Sequence, residues 1–109
     1  MLGVFEQAVL LAVVRLGEEA YGRSILTEVQ ARLQKDVSAG AIQATLARLE
    51  QKGLLDSRLG PGTEIRAGRP RRFYRIGPAG ARALNDAHQS VSALWRGFRP
   101  QARPRKGYA

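Results

Sequence analysis

Five arginines, Arg66, Arg69, Arg71, Arg72 and Arg75, fall within ten residues, with Gly68 and Pro70 between them. A guanidinium is charged at any working pH and presents a planar fork of donors that matches a phosphate. On a loop such groups suit phosphates and a narrow minor groove. Charge protecting an edge hairpin is the plainer reading, but five arginines exceed that need. Arg75 has an alternative place on a strand face as a structural residue. A second group lies upstream. With Ile42 turned inward, a helix advancing about 100° per residue sends Gly40, Gln43, Ala44, Ala47 and Gln51 to the far side. Thr45 and Arg48 then flank that side. Small residues let a helix approach a groove floor, Gln can pair with adenine, and Arg can pair with guanine or phosphate. A plain solvated helix face is the competing reading, and the basic segment beside it favours nucleic acid.

Other chemistries find little support. Cysteine is absent, which removes thiolate nucleophiles, disulfides and cysteine metal sites. His88 is the sole histidine, with only Asp86 nearby, so a single-chain metal site lacks ligands and packing is its expected role. The serines lack an arranged base, and the glycines fit neither a P-loop nor a dinucleotide fingerprint. No enzyme, cofactor or metal is expected. The charge distribution agrees: residues 1–57 carry six Lys/Arg against seven Asp/Glu, whereas residues 58–109 carry twelve against two. A basic half on a cysteine-free chain calls for a polyanionic partner, nucleic acid first and an anionic membrane surface second. The longest apolar run, Ala8 to Val14, is far too short to span a membrane, and no secretory signal is visible, so a cytoplasmic location is expected.

The elements that would position these groups can be read from the periodicity. A first helix over Leu2 to Leu16 is apolar on more than one stripe and ends at Gly17, which hints at an oligomer contact. Tyr21-Gly22 opens a second helix with Ile25, Leu26, Val29 and Leu33 on one face. Ser38 caps a third, with Ile42, Leu46 and Leu49 inward and Gly53 at its end. Two helices so joined read as a helix-turn-helix. Strand-like runs Leu54–Leu59 and Arg72–Ile76 flank a twelve-residue basic tip, Gly60 to Arg71. Gly77-Pro78 starts a fourth helix, with Leu84, Ala87, His88, Val91, Leu94, Trp95 and Phe98 at seam spacing. The expected fold is mainly α with a small β-hairpin: a winged helix-turn-helix over 1–77, a dimerisation helix over 78–98 and a basic disordered tail over 99–109.

Several stretches carry a resemblance. Phe5-Glu6-Gln7, Leu16-Gly17, Ala20-Tyr21-Gly22, Ser38 to Ile42, Thr45-Leu46, Leu49-Glu50, Lys52-Gly53-Leu54 and Gly68 to Ile76, then Gly80 and Leu84, occur in an order and spacing that resembles the PadR-like family of bacterial regulators. The likeness runs over roughly residues 2–98 and is closest to the compact subfamily with one dimerisation helix. The chain departs from the family at Gln43, where an aromatic is common, at Gly77, where Thr or Ser often caps the last helix, and at Pro70, where a basic residue is usual.

The resemblance implies a homodimeric repressor whose last helix pairs with the partner's first and last helices. That places Phe5, Val9, Leu84, Val91, Leu94, Trp95 and Phe98 at the dimer interface. DNA contacts are expected at Tyr21, Ser38, Gly40, Gln43, Ala44, Thr45, Arg48, Arg66, Arg69, Arg71 and Arg72. The partner is double-stranded DNA with an inverted-repeat operator. Trp95, the only tryptophan, reads as an interface anchor or, as in small members of that family, as a stacking platform for a planar aromatic effector. The expected function is a dimeric, sequence-specific regulator, a repressor released by a small molecule. The alternatives are a protein-interaction winged helix and a non-specific nucleic-acid coat.

Overall fold

The computed structural model describes residues 1–62 and 70–100. Helix α1 (Val4–Leu16) leads through a short 3-10 turn (Gly17–Glu19) into α2 (Gly22–Leu33) and α3 (Ala39–Gln51). Strands β1 (Leu55–Gly62) and β2 (Pro70–Ile76) follow, and α4 (Pro78–Trp95) closes the order. This is a mainly helical fold carrying a two-stranded antiparallel hairpin, as the sequence predicts.

Local chemistry sets the helix ends. The Glu6 carboxylate accepts the Gly3 N–H at 3.1 Å, satisfying a donor ahead of α1. Gly17 ends that helix at φ 59, a conformation that costs glycine little. Ser24 Oγ accepts the Tyr21 N–H at 3.0 Å at the start of α2. Ser38 Oγ accepts the Ala41 N–H at 3.0 Å, the N-cap bond expected for α3. Gly53, at φ 79, turns the chain from α3 toward β1.

Between them these elements enclose one core of Val9, Leu10, Ala12, Val13, Ala20, Ile25, Val29, Ile42, Leu46, Leu49, Leu55 and Tyr74. Val9 is therefore not a dimer-face residue: it is fully buried inside its own chain. Because α1 is apolar on several sides, its inner stripe serves the core and only Val4, Leu11 and Val14 are left exposed. Phe5 and Leu84 are half-buried and pack against the same core, so most of their surface is also spent within the chain. His88 is exposed rather than packed.

The hairpin extends further than its composition predicts. Gly60, Pro61 and Gly62 belong to β1, and Pro70 and Arg71 to β2, with Gly62 opposite Pro70 beyond a register shift after Leu59. A bulge of this kind takes up Gly and Pro at the end of an edge strand without breaking the ladder. An isolated bridge between Tyr21 and Phe73 adds a third, one-residue edge, and the Tyr74 N–H donates to the Ala20 carbonyl at 2.9 Å. At the other end, α4 stops at Trp95 and not at Phe98, with Gly97 at φ 82 just beyond. Gly80 is buried so tightly that a Cβ there would collide with the Leu54 carbonyl and lie 2.7 Å from Ile76 Cγ1, which fixes the root of α4 on the hairpin. Among the described residues, no helix is long and apolar enough to cross a membrane.

Candidate nucleic-acid interface

Helix α3 presents the face its sequence predicts. Gly40, Gln43, Ala44, Ala47, Arg48 and Gln51 are exposed, while Ile42, Leu46 and Leu49 are buried. Ser38 is exposed, and its hydroxyl is engaged in the cap. Thr45 is a correction: only 2% exposed, it belongs to the inner side and cannot lie at a groove floor. Its angular distance from Ile42 is about 60°, within the breadth of a core-facing stripe. The Thr45 hydroxyl instead accepts from Arg48 Nη2 at 3.3 Å, drawing the Arg48 side chain back along the helix.

The hairpin brings its arginines beside this helix. Antiparallel pairing sets Arg58 opposite Phe73 and Leu59 opposite Arg72. Because strand side chains alternate, Arg71 and Phe73 lie on one face of β2, Arg72 and Tyr74 on the other. On the first face the Arg58 guanidinium lies 5.7 Å from the Phe73 ring centroid, and the Tyr21 ring meets Phe73 edge-on at 5.7 Å. Arg71 completes the stack, 4.2 Å from the Tyr21 centroid. Two adjoining rings are flanked by a cation at either end, an arrangement in which each positive charge meets the negative face of an aromatic.

On the second face Arg72 Nη1 donates to Ser57 Oγ at 2.9 Å, and Ser57 Oγ donates to Glu50 Oε2 at 2.7 Å. Arg72 is thus partly committed within the chain, though its side chain is exposed. Tyr74, buried beneath, has its hydroxyl pKa pushed up by desolvation. Arg75 pairs weakly with Asp56 at 3.8 Å, both being well exposed, which is the structural place the sequence leaves open for it. Arg66 and Arg69 lie outside the described residues.

An open cleft of about 510 Å³ runs between hairpin and helices, lined by Tyr21, Gly22, Arg23, Gln43, Pro70, Arg71, Arg72 and Tyr74. Tyr21, Gln43, Arg71 and Arg72, predicted separately, meet here. The Gln43 side chain passes over Gly22, where an added Cβ would stand 2.7 Å from Gln43 Nε2. Arg23 is not among the site residues the sequence predicts, and Gly22 is expected there only as part of a helix start. The Tyr21–Phe73 bridge, with the ring contacts around it, brings the start of α2 against β2, and Tyr21-Gly22 carries no strand pattern to announce it.

The predicted dimer residues on the last helix divide. Val91, Leu94, Trp95 and Phe98 are exposed, Leu94 at 81%, and Trp95 meets Phe98 at 5.4 Å between ring centroids. Among the described residues no group of three His, Cys, Asp or Glu could hold a metal ion.

The model of the transcriptional regulator PadR-like family matches residues 10–86. Transcriptional regulator Rv3488 of Mycobacterium tuberculosis is 39% identical over 71 residues, which span 65% of this chain and 63% of that protein. Among solved structures, a PadR family transcriptional regulator from Eggerthella lenta is 29% identical, with TM-score 0.64 over 82% of this chain and 75% of its own. A PadR-like transcriptional regulator from Bacillus cereus is 26% identical, with TM-score 0.69 over 86% of each chain. These relatives are regulators and not enzymes, and the two solved structures share the fold assembled above. The chain belongs to the PadR-like family of transcriptional regulators.

Proposed function

We propose that the protein is a homodimeric, sequence-specific repressor that binds an inverted repeat in duplex DNA and is released by a small molecule. The observation that carries the DNA reading is the shared cleft: hairpin arginines and the Gln43 face of α3 converge on one open surface. Phosphate contacts give affinity without sequence information, and base-edge contacts give choice. Arg71, Arg72 and the tip arginines Arg66 and Arg69 supply the first, and Gln43 and Arg48, with Gly40 and Ala44 permitting close approach, supply the second. Tyr21 and Ser38 stand at the two helix starts, where N–H groups favour phosphate.

Two copies are supported by the apolar surface that one chain leaves uncovered. Val4, Leu11 and Val14 of α1, Val91, Leu94 and Trp95 at the end of α4, and Phe98 just beyond it are exposed. Large apolar surface of this kind is costly in water and is covered by association. That surplus, and not a shortage of core, favours pairing, because one chain builds its own core. Paired chains would set two α3 helices about 34–36 Å apart, one turn of DNA.

Trp95 serves this reading as the effector platform. Its indole is half-exposed beside Phe98, and a symmetric pairing of α4 would bring two indoles together. A planar aromatic compound sandwiched there would shift the separation of the DNA-reading helices. Because Trp95 is the sole indole, its fluorescence reports the site directly. Titration with flat aromatic dyes is expected to quench it and weaken DNA binding together. Quenching with unchanged DNA affinity would reduce Trp95 to an interface anchor.

A further inference from the structure

Arg71 and Arg72 are neighbours on β2, yet they anchor to opposite sides of it. Arg71 stacks on Tyr21 at the start of α2, whereas Arg72 reaches Ser57 on β1 and, through it, Glu50 in the last turn of α3. The proton order in this second contact is determined by chemistry. A guanidinium can only donate, so Ser57 Oγ must accept from Arg72 and turn its own hydrogen to the Glu50 carboxylate. Three elements, α3, β1 and β2, are therefore joined through one half-buried hydroxyl, at 2.9 Å and 2.7 Å. Both bonds involve a charged partner, the stronger kind. Glu50 is also an anomaly if the surface is read as a phosphate site alone, since a carboxylate beside a DNA-binding face opposes binding.

We propose that Glu50 and Ser57 are positioning residues: they hold Arg72, and with it the register of the hairpin, at a fixed place relative to the base-reading face of α3. The proposal rests on the DNA-reading role above and adds a specificity determinant that touches no base. A hairpin free to swing would find phosphates on any duplex. A hairpin tied to α3 finds them only when α3 is seated in its preferred sequence. Tethering therefore costs general affinity and gains discrimination, which gives the acid at this place a role.

The test uses the full chain with Ser57→Ala, Glu50→Gln, the double variant and Ser57→Thr, which keeps the hydroxyl. Two quantities are read. One is the ratio of affinities for the duplex that the wild type enriches from a random pool and for a scrambled duplex of equal length. The other is amide exchange over residues 70–76 in the free protein. Each single change is expected to lower the ratio roughly three- to tenfold and to speed exchange, with Ser57→Thr close to wild type. The double variant is expected to match the singles, because members of one network do not add. If Glu50→Gln tightens both duplexes alike while Ser57→Ala does nothing, Glu50 is merely a repelling charge and the proposal is overturned. Unchanged exchange and an unchanged ratio overturn it also, with the DNA reading left intact. A wild type that enriches no sequence overturns the DNA reading itself, and the exchange data still report whether the anchor exists.

Discussion

The Arg71 guanidinium lies 4.2 Å from the centroid of the Tyr21 ring, so two residues that line the cleft join the hairpin to the start of α2. The Tyr21 ring in turn meets Phe73, with centroids 5.7 Å apart at an interplanar angle of 68°. Tyr21→Phe keeps both ring contacts, whereas Tyr21→Ala removes them. Thermal unfolding is expected to show little change for the first. The second should lose about 1–2 kcal/mol, combining a cation–π and an edge-to-face aromatic contribution. Equal losses in the two variants would mean that the hydroxyl, not the ring, matters.

The hairpin and α3 are expected to fail differently. Arg71→Ala should weaken binding to every duplex and lower the slope of log affinity against log salt by about one unit per lost phosphate contact. Gln43→Ala should instead change the preference among sequences, by about 1–3 kcal/mol at the affected base pair, with the slope kept. Binding measured at several salt concentrations separates the two. A full slope in Arg71→Ala contradicts the division of roles.

Leu94, 81% exposed on α4, has no packing role inside the chain. Leu94→Glu should therefore leave the fold intact yet lower the sedimenting mass, and it should abolish any dependence of thermal stability on concentration. A wild-type protein that sediments as a monomer at micromolar concentration would contradict the dimer.

Glu6 carries a pH signature. The Gly3 N–H bonded to its carboxylate holds its pKa below the usual 4.5, helped by Lys52 at 3.3 Å and opposed by partial burial. A depressed carboxylate pKa contributes stability above the unfolded value and loses it as pH falls through the folded one. Glu6→Ala should thus cost about 0.5–1 kcal/mol near neutral pH, and the difference from wild type should shrink as pH falls below about 4.5. A deficit that persists in acid would assign the effect to packing instead.

Much of the fold was legible because its boundaries lie in single residues. Gly17, Ser38, Gly53 and the Gly77-Pro78 pair each have a local physical reason to stop or start a helix, independent of tertiary context. The outward face of α3 was legible for the same reason, since its period is intrinsic. What escaped depends on packing between distant segments. Thr45 and Val9 are polar-flank and apolar-surplus positions whose side is decided by what packs against them. The Tyr21–Phe73 bridge joins residues 52 positions apart with no strand pattern on one side. The Gly60 and Pro70 composition reads as loop, yet pairing extends the strands as far as Gly62 and Pro70. The Glu50–Ser57–Arg72 contact joins three elements whose register no local pattern specifies.

Selection of bound fragments from a random duplex pool at moderate salt separates a dimeric, sequence-specific binder from a general one. An inverted repeat should be enriched, its half-sites centred about 10–10.5 base pairs apart, the spacing that two α3 helices on one dimer require. Recovery of fragments with no common sequence, or of a single unrepeated site, would contradict it.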